Sequence, residues 1–209
     1  MRKVDPEKVE AKRRQILDAA IECFARNGFH GTSTAAICAA AGMSPGNLFH
    51  YFPTKAAIIA AIAQEDRRES AELFAQWADA DDVVAAIEAI ALEKMKAASE
   101  PLYARISIEI AAEASRNPDV AALFAENEAH EKGLLVALVK RGIAQGQIDR
   151  ALKPAVIATW LIALAEGAVG RVVFEPGFKA KTHAPMLRLI IRRMLQPQLR
   201  AAGNVTRFE

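Results

Sequence analysis

The sequence predicts an all-α chain, and three observations carry that prediction. Alanine supplies about a fifth of the 209 residues and, with Leu, Glu, Lys and Arg, gives sustained helix propensity. Apolar residues recur at helical spacing, and runs of alternating Val, Ile, Thr and Tyr are absent. Breakers at Gly28 to Gly31, Gly42 to Ser44, Pro53, Asp79 to Asp82, Pro101, Pro118, Gly146, Pro154 and Pro176-Gly177 then divide the chain into about nine helices. With 52% hydrophobic and 25% charged residues, 11 Gly and 9 Pro, the composition excludes disordered, collagenous and disulfide-scaffold classes. No 18-residue uncharged run occurs, and no apolar stretch follows the charged start at Arg2, Lys3, Asp5, Glu7 and Lys8, so the expectation is a cytoplasmic protein with no membrane partner. Cys23 and Cys38 lie outside any CxxC spacing, so they read as core residues, and neither a metal nor another cofactor is predicted.

The first element, residues 10 to 26, sets Ile16, Leu17, Ala20, Ile21 and Phe24 on one stripe behind a basic start of Lys12, Arg13 and Arg14. Thr32, Ser33 and Thr34 offer hydroxyl caps to a short helix over Ala35 to Ala41, and Gly42 supplies the left-handed residue that ends it. Ser44 caps a second short helix, with Pro45 at its first position, and the helix runs through Gly46, Asn47, Leu48, Phe49, His50, Tyr51 and Phe52 to the stop at Pro53. Two short helices joined by a glycine turn of this length form either a helix-turn-helix, whose second helix enters the DNA major groove, or an ordinary helical hairpin. The second helix favours the former. Pro45 and Gly46 let backbone approach bases, Asn47 can pair bidentately with adenine, and His50, Tyr51 and Lys55 can donate to phosphates.

The helix over 54–77 begins apolar at 58–63 and continues as the charged run Gln64 to Glu72, which makes it the connection between two domains, 1–55 and 56–209. On a wheel of about 100° per residue, helix 101–117 carries an apolar arc of Leu102, Tyr103, Ile106 and Ile110, with Glu113 projecting into it and Glu109 on its edge. In helix 119–146, Asn127 and Glu131 interrupt the arc of Val120, Phe124, Leu134, Leu135 and Leu138. A buried carboxylate needs a partner or a ligand, so these are candidate pocket groups, Arg105, Arg116 and Arg171 being the alternative partners. Helix 154–175 is apolar almost all round, with Glu166 and Arg171 as lone charges and Trp160 assignable to core, interface or pocket wall. Its Ala163, Gly167 and Gly170 permit close helix approach. The last helix, 183–200, sets Leu187, Ile190, Ile191, Met194 and Leu195 in a stripe backed by Arg188, Arg192, Arg193 and Arg200. Charge is segregated along this order: +3 over 1–63, −10 over 64–131 and +9 over 132–209.

The string Gly28-Phe29-His30-Gly31-Thr32-Ser33-Thr34, with Ile37, Ala41-Gly42-Met43-Ser44, Gly46-Asn47-Leu48-Phe49-His50-Tyr51-Phe52 and Lys55, resembles the tetracycline-repressor family of transcriptional regulators. The resemblance implies three DNA-binding helices, a connecting fourth, and further helices that bind a ligand and dimerise. It implies phosphate contacts for Thr32, Ser33, Thr34 and Lys55, base reading by Pro45, Gly46 and Asn47 beside the Ser44 cap, and backbone or base contacts from His50 and Tyr51. Phe49 departs from the Tyr more usual there and loses a hydroxyl contact to phosphate. Ala35 and Ala36 replace frequently polar positions, which shifts operator contact toward Arg13, Arg14 and the third helix.

The expected function is a homodimeric, ligand-responsive repressor on a palindromic double-stranded DNA operator, released by a small-molecule effector, with an activator of the same fold as the alternative. Tyr103, Ile106, Glu109, Glu113, Asn127, Glu131, Trp160 and Glu166 are the candidate ligand residues. The resemblance implies that the last two long helices pair with their symmetry mates, which makes Ala163, Gly167, Gly170, Leu187, Ile190, Ile191 and Met194 the candidate dimer residues; an intramolecular core explains the same stripes equally well. The glutamates favour a cationic, partly apolar effector, to which Tyr103 and Trp160 add cation–π attraction. Two further classes are an all-α enzyme and a helical interaction module whose basic C-terminal region binds an acidic partner. The di-iron form of the enzyme needs Glu-x-x-His pairs, and none of His30, His50, His130 or His183 has a Glu three residues before it.

Overall fold

The computed structural model describes residues 5–175 and 177–196. Among them the chain forms nine helices and no strand: α1 (Pro6–Gly31), α2 (Thr34–Ala40), α3 (Pro45–Tyr51), α4 (Lys55–Ala75), α5 (Val83–Ala98), α6 (Pro101–Ala114), α7 (Pro118–Ala144), α8 (Pro154–Phe174) and α9 (Ala180–Leu195). Residues 197–200 of the expected last helix, Arg200 among them, and Pro176 lie outside the described residues.

Short polar side chains start most of these helices by accepting an otherwise orphaned N–H. Ser33 Oγ accepts from Ala36 N at 3.1 Å, Ser44 Oγ from Asn47 N at 3.3 Å, and Thr54 Oγ1 from Ala57 N at 3.0 Å. Asp82 and Asn117 do the same for α5 and α7. Pro stands in the first turn of α1, α3, α6, α7 and α8, where its missing N–H breaks no helical bond. Asp5 and Pro6 use this signal to start α1 earlier than the expected residue 10. Gly42, at φ 62°, makes the left-handed turn between α2 and α3. α1 does not stop at Gly28 but bends there, at φ 72° and ψ 167°, and resumes for one more turn.

Two apolar clusters organise the molecule. One joins Phe74 of α4 to Val83, Ile87 and Ile90 of α5, Leu135 and Val139 of α7, Ile157 and Leu161 of α8, and Leu187, Ile191 and Leu195 of α9. The other joins Ile16, Ala20 and Phe24 of α1 to Ile37, Leu48 and Ile58 of the next three helices and to Phe52 just after α3, and includes Ile106 of α6 and Val120 of α7. Each buried Leu, Ile or Phe contributes about 1.5–3 kcal/mol against leaving it in water. The helix-turn-helix head is therefore seated on α6 and α7 by the same kind of contact that holds it together internally.

By length and composition alone α8 could cross a membrane. Six of its residues, Ile157, Ala158, Leu161, Ile162, Ala165 and Ala168, are nevertheless buried on one side. That face packs against other helices of the chain, the pattern of a core helix.

Candidate nucleic-acid interface and ligand cavity

α3 is anchored from beneath and open above. Leu48 and Phe52 are buried and Tyr51 is half-buried against the head core, while Ser44, Pro45, Gly46, Asn47, Phe49 and His50 are exposed. Gln15 Nε2 donates to Ala41 O at 2.7 Å and ties the turn before α3 to α1. The ring of His50 meets that of Tyr51 edge to face at 5.2 Å. The result is one short helix presenting an amide, an imidazole and an apolar ring to solvent on a rigid base. Ser33, beside Thr34 at the start of α2, is exposed too.

Four residues expected on DNA make contacts within the protein. Thr32 is 1% exposed, and its hydroxyl donates within the head, with Cys23 O at 3.0 Å and Gly28 O at 2.8 Å. Lys55 Nζ donates to Phe29 O at 2.6 Å and Thr32 O at 3.0 Å, and sits 4.2 Å from the centre of the Phe29 ring. It clamps the α1–α2 loop. Arg14 pairs with Glu65 of α4 at 2.7 Å and lies 3.8 Å from Glu69, and Arg13 lies over the Phe52 ring at 4.8 Å.

A cavity of about 480 Å³ opens between α1, α4, α6, α7 and α8, with α5 contributing Lys94. Its apolar lining comes from Leu17, Ile21, Ile62, Leu102, Ile106, Ile110, Phe124 and Ile162. Its polar lining holds Tyr103, Asn127 and nine charged residues, of which Asp18, Glu65, Asp66, Glu69, Glu128, Glu131 and Glu166 are acids and only Arg14 and Lys94 are bases. Lys94 Nζ lies 2.5 Å from Glu131 Oε2, which also accepts from Ser70 Oγ at 3.0 Å. Asn127 Nδ2 donates to Ala63 O at 2.7 Å and to Asp66 Oδ2 at 3.3 Å.

The electrostatics follow from that imbalance. Burial, with Glu128 and Glu131 adding like charge, pushes Glu166 up to about 7. Asp66 and Glu69 are raised for the same reasons, burial first. The Tyr103 phenol is raised by burial and then by Asp66, Glu131 and Glu166. Since Tyr103 as a whole residue is 38% exposed, its hydroxyl end is the desolvated part. Glu65 moves the other way, chiefly through its hydrogen bond from Arg68.

Of the sequence-predicted ligand residues, the structure brings Tyr103, Ile106, Asn127, Glu131 and Glu166 together on this cavity. It separates the other three. Glu109 lies against Gly28, where a Cβ would come within 3.1 Å of its Oε2. Glu113 is 2% exposed and already satisfied by His30, Arg116 and Asn117. Trp160 is 60% exposed on the outer side of α8. The charged cavity residues to which sequence reasoning gave no role are Glu65, Asp66, Glu69, Asp18, Lys94 and Glu128. The signal for the first three was their i, i+1, i+4 spacing, which puts them on one face of α4.

The outer face of α8 carries Val156, Trp160, Ala163, Gly167, Gly170 and Phe174 at alternating steps of four and three, all at least partly exposed. Met186, Leu189 and Ile190 of α9 are exposed as well. Among the expected dimer residues, Leu187 and Ile191 are instead buried in the core, and Met194 is half-buried against it. On α9 the residues that fill the chain's own core are as apolar as those left outside.

Residues 16–62 match the family model described as bacterial regulatory proteins, tetR family, and residues 83–197 match the C-terminal model of BetI-type transcriptional repressors. The transcriptional regulator UidR of Escherichia coli K12 is 29% identical over 187 residues, covering 88% of this chain and 92% of that protein. The structure of Salmonella enterica GusR is 31% identical, superposes with a TM-score of 0.75, and is matched over 88% of this chain and 95% of its own. FadR from Bacillus subtilis, solved in complex with stearoyl-CoA, shares the fold at a TM-score of 0.77 and 17% identity, over 88% of this chain and 99% of that one.

Proposed function

The chain belongs to the tetR family of bacterial regulatory proteins and is a DNA-binding transcriptional regulator, and we propose that it is a homodimeric repressor released from a palindromic operator by a small molecule. One observation carries the reading: the cavity wall is shared between the head and the rest of the chain. Arg14, Leu17, Asp18 and Ile21 of α1 line it together with residues of α4, α6, α7 and α8. A ligand in that space touches the first helix of the DNA-binding head directly and α4 behind it.

Within this reading α3 enters the major groove, with Pro45, Gly46, Asn47 and His50 toward bases, and Ser33, Thr34, Ser44 and Tyr51 toward the backbone. Phe49, exposed and lacking a hydroxyl, suits a thymine methyl better than a phosphate. The apolar stripe of α8, with the exposed residues of α9, forms the two-fold interface, since a repeat of alternating three and four residues is the spacing by which helices pack side by side. Two heads then read half-sites roughly 34–36 Å apart. The effector acts through its greater affinity for a conformer in which that separation is wrong. The relatives are regulators, which supports a protein without catalytic function of its own, acting in the cytoplasm where its DNA target is.

Selection of bound sequences from random DNA tests the whole. The expected result is one enriched palindrome, bound with steep salt dependence, and Asn47→Ala weakening it by about 1–3 kcal/mol while leaving the oligomer intact. Failure to enrich any sequence would overturn the operator assignment.

A further inference from the structure

We propose that the effector is an organic cation with an apolar body, and that its charge competes with Arg14 for the carboxylates of Glu65 and Glu69. The inference rests on the cavity being the effector site and names what that site takes. Both basic residues of the lining are already engaged, Arg14 with Glu65 and Glu69, and Lys94 with Glu131. Asp18, Asp66, Glu128 and Glu166 face the same space with no Lys, Arg or His within ion-pair distance among the described residues. An anion entering there meets an uncompensated field of its own sign. A cation supplies the missing counter-charge, and the apolar walls around Ile106, Phe124 and Ile162 take its hydrocarbon. The pKa values of Asp66, Glu69 and Glu166 are raised by burial first and then by the neighbouring carboxylates.

The position of Arg14 makes this charge matter to DNA binding. Its guanidinium reaches from α1 to Glu65 and Glu69, one turn apart on α4, so the cavity's resident cation is also a bridge between the head's first helix and the connecting helix. Glu65 stays ionised without it, because Arg68 on the same helix holds the carboxylate. A ligand cation near these two acids weakens the α1–α4 bridge and leaves Glu65 in place. The coupling is then electrostatic competition between a side chain and a ligand for one pair of carboxylates.

Isothermal titration of the intact protein with 4-phenylbutylammonium, 4-phenylbutyrate and 4-phenylbutanol tests the class of ligand. The cation should bind roughly tenfold or more tightly than the anion or the alcohol. Equal or tighter binding of either, or no binding of the cation at millimolar concentration, overturns the proposal. Filling the cavity with Ile162→Trp separates the two readings. If the anion or alcohol is preferred but lost in that variant, the cavity remains an effector site and only the ligand class is wrong. Arg14→Gln should tighten the cation several-fold, leave the alcohol unchanged, and remove the cation's effect on binding to the selected operator. Unchanged or weaker cation binding in Arg14→Gln sinks the competition. Should that variant not fold, Glu69→Gln provides the converse: weaker cation binding with the alcohol unaffected supports the proposal, and an unchanged cation affinity overturns it.

Discussion

His30 Nε2 lies 2.9 Å from Glu113 Oε2, across the seam between the last turn of α1 and α6. The carboxylate is almost fully buried and also accepts from Asn117 Nδ2 at 3.0 Å and Arg116 Nε at 3.2 Å. These donors, Asn117 foremost, hold it below the ordinary carboxylate value of 4.5. A lowered native pKa adds stability that is complete above the unfolded value and is lost as pH falls through the native one. Glu113→Ala should therefore cost about 1–3 kcal/mol in urea unfolding at neutral pH, with the difference from the parent shrinking under acid. Amide exchange should quicken first at the end of α1. Equal stability of variant and parent at neutral pH would contradict this account of the seam.

Lys55 gives a test that separates a loop clamp from a phosphate ligand. Lys55→Met removes two hydrogen bonds to the Phe29 and Thr32 carbonyls, and should lower stability by about 1–3 kcal/mol. The slope of log affinity for DNA against log salt should stay the same, whereas loss of a phosphate contact would reduce it by about 1. Measuring both quantities on one variant decides the matter.

Trp160 is the largest side chain in the open stripe of α8. Trp160→Glu places a charge in the proposed two-fold interface. Sedimentation should show a monomer, while the fold of the single chain changes by no more than about 0.5 kcal/mol, as for other exposed positions. A variant that keeps the parent's oligomeric state would remove α8 from the interface.

Glu166 makes stability and ligand binding depend on pH near neutrality. Its native value of about 7 exceeds the ordinary 4.5, so the folded protein takes up the proton first. The stabilisation this gives is present at low pH and is lost as pH rises through 7. Glu166→Gln should gain about 1 kcal/mol over the parent at about pH 8, once screening of its exposed side is allowed for, and little at about pH 5. In the parent, the affinity for 4-phenylbutylammonium should rise with pH over the same interval, by at most about tenfold per unit. A flat profile in both measurements would show that Glu166 is ionised throughout.

Local rules carried the fold. Caps at Ser33, Ser44 and Thr54, Pro in the first turns and the left-handed Gly42 fix helix ends within a few residues, and these signals lie in the adjacent sequence. The exposed face of α3 was legible for the same reason. Side-chain destinations across the fold were not. Thr32 could cap α2 or donate backward to Cys23 and Gly28, and only the bend at Gly28 brings those carbonyls within reach. Glu113 and Glu131 occupy similar wheel positions, yet one meets Asn117 and His30 while the other meets Lys94 and a cavity. The basic C-terminal third finds part of its purpose in Arg192, which pairs with the buried Glu88 of the acidic middle.

Ile106 and Val120 complete the core of the DNA-binding head although they belong to α6 and α7. The head is thus no cassette. A chimera spliced at residue 55 would carry a socket shaped for these two side chains onto another protein's helices and bring a mismatch into its own interior. On the solvent side of α3, by contrast, Pro45, Gly46, Asn47, Phe49 and His50 can be replaced without disturbing a buried contact. That surface is free to change, while the seam beneath it ties the head's interior to α6 and α7.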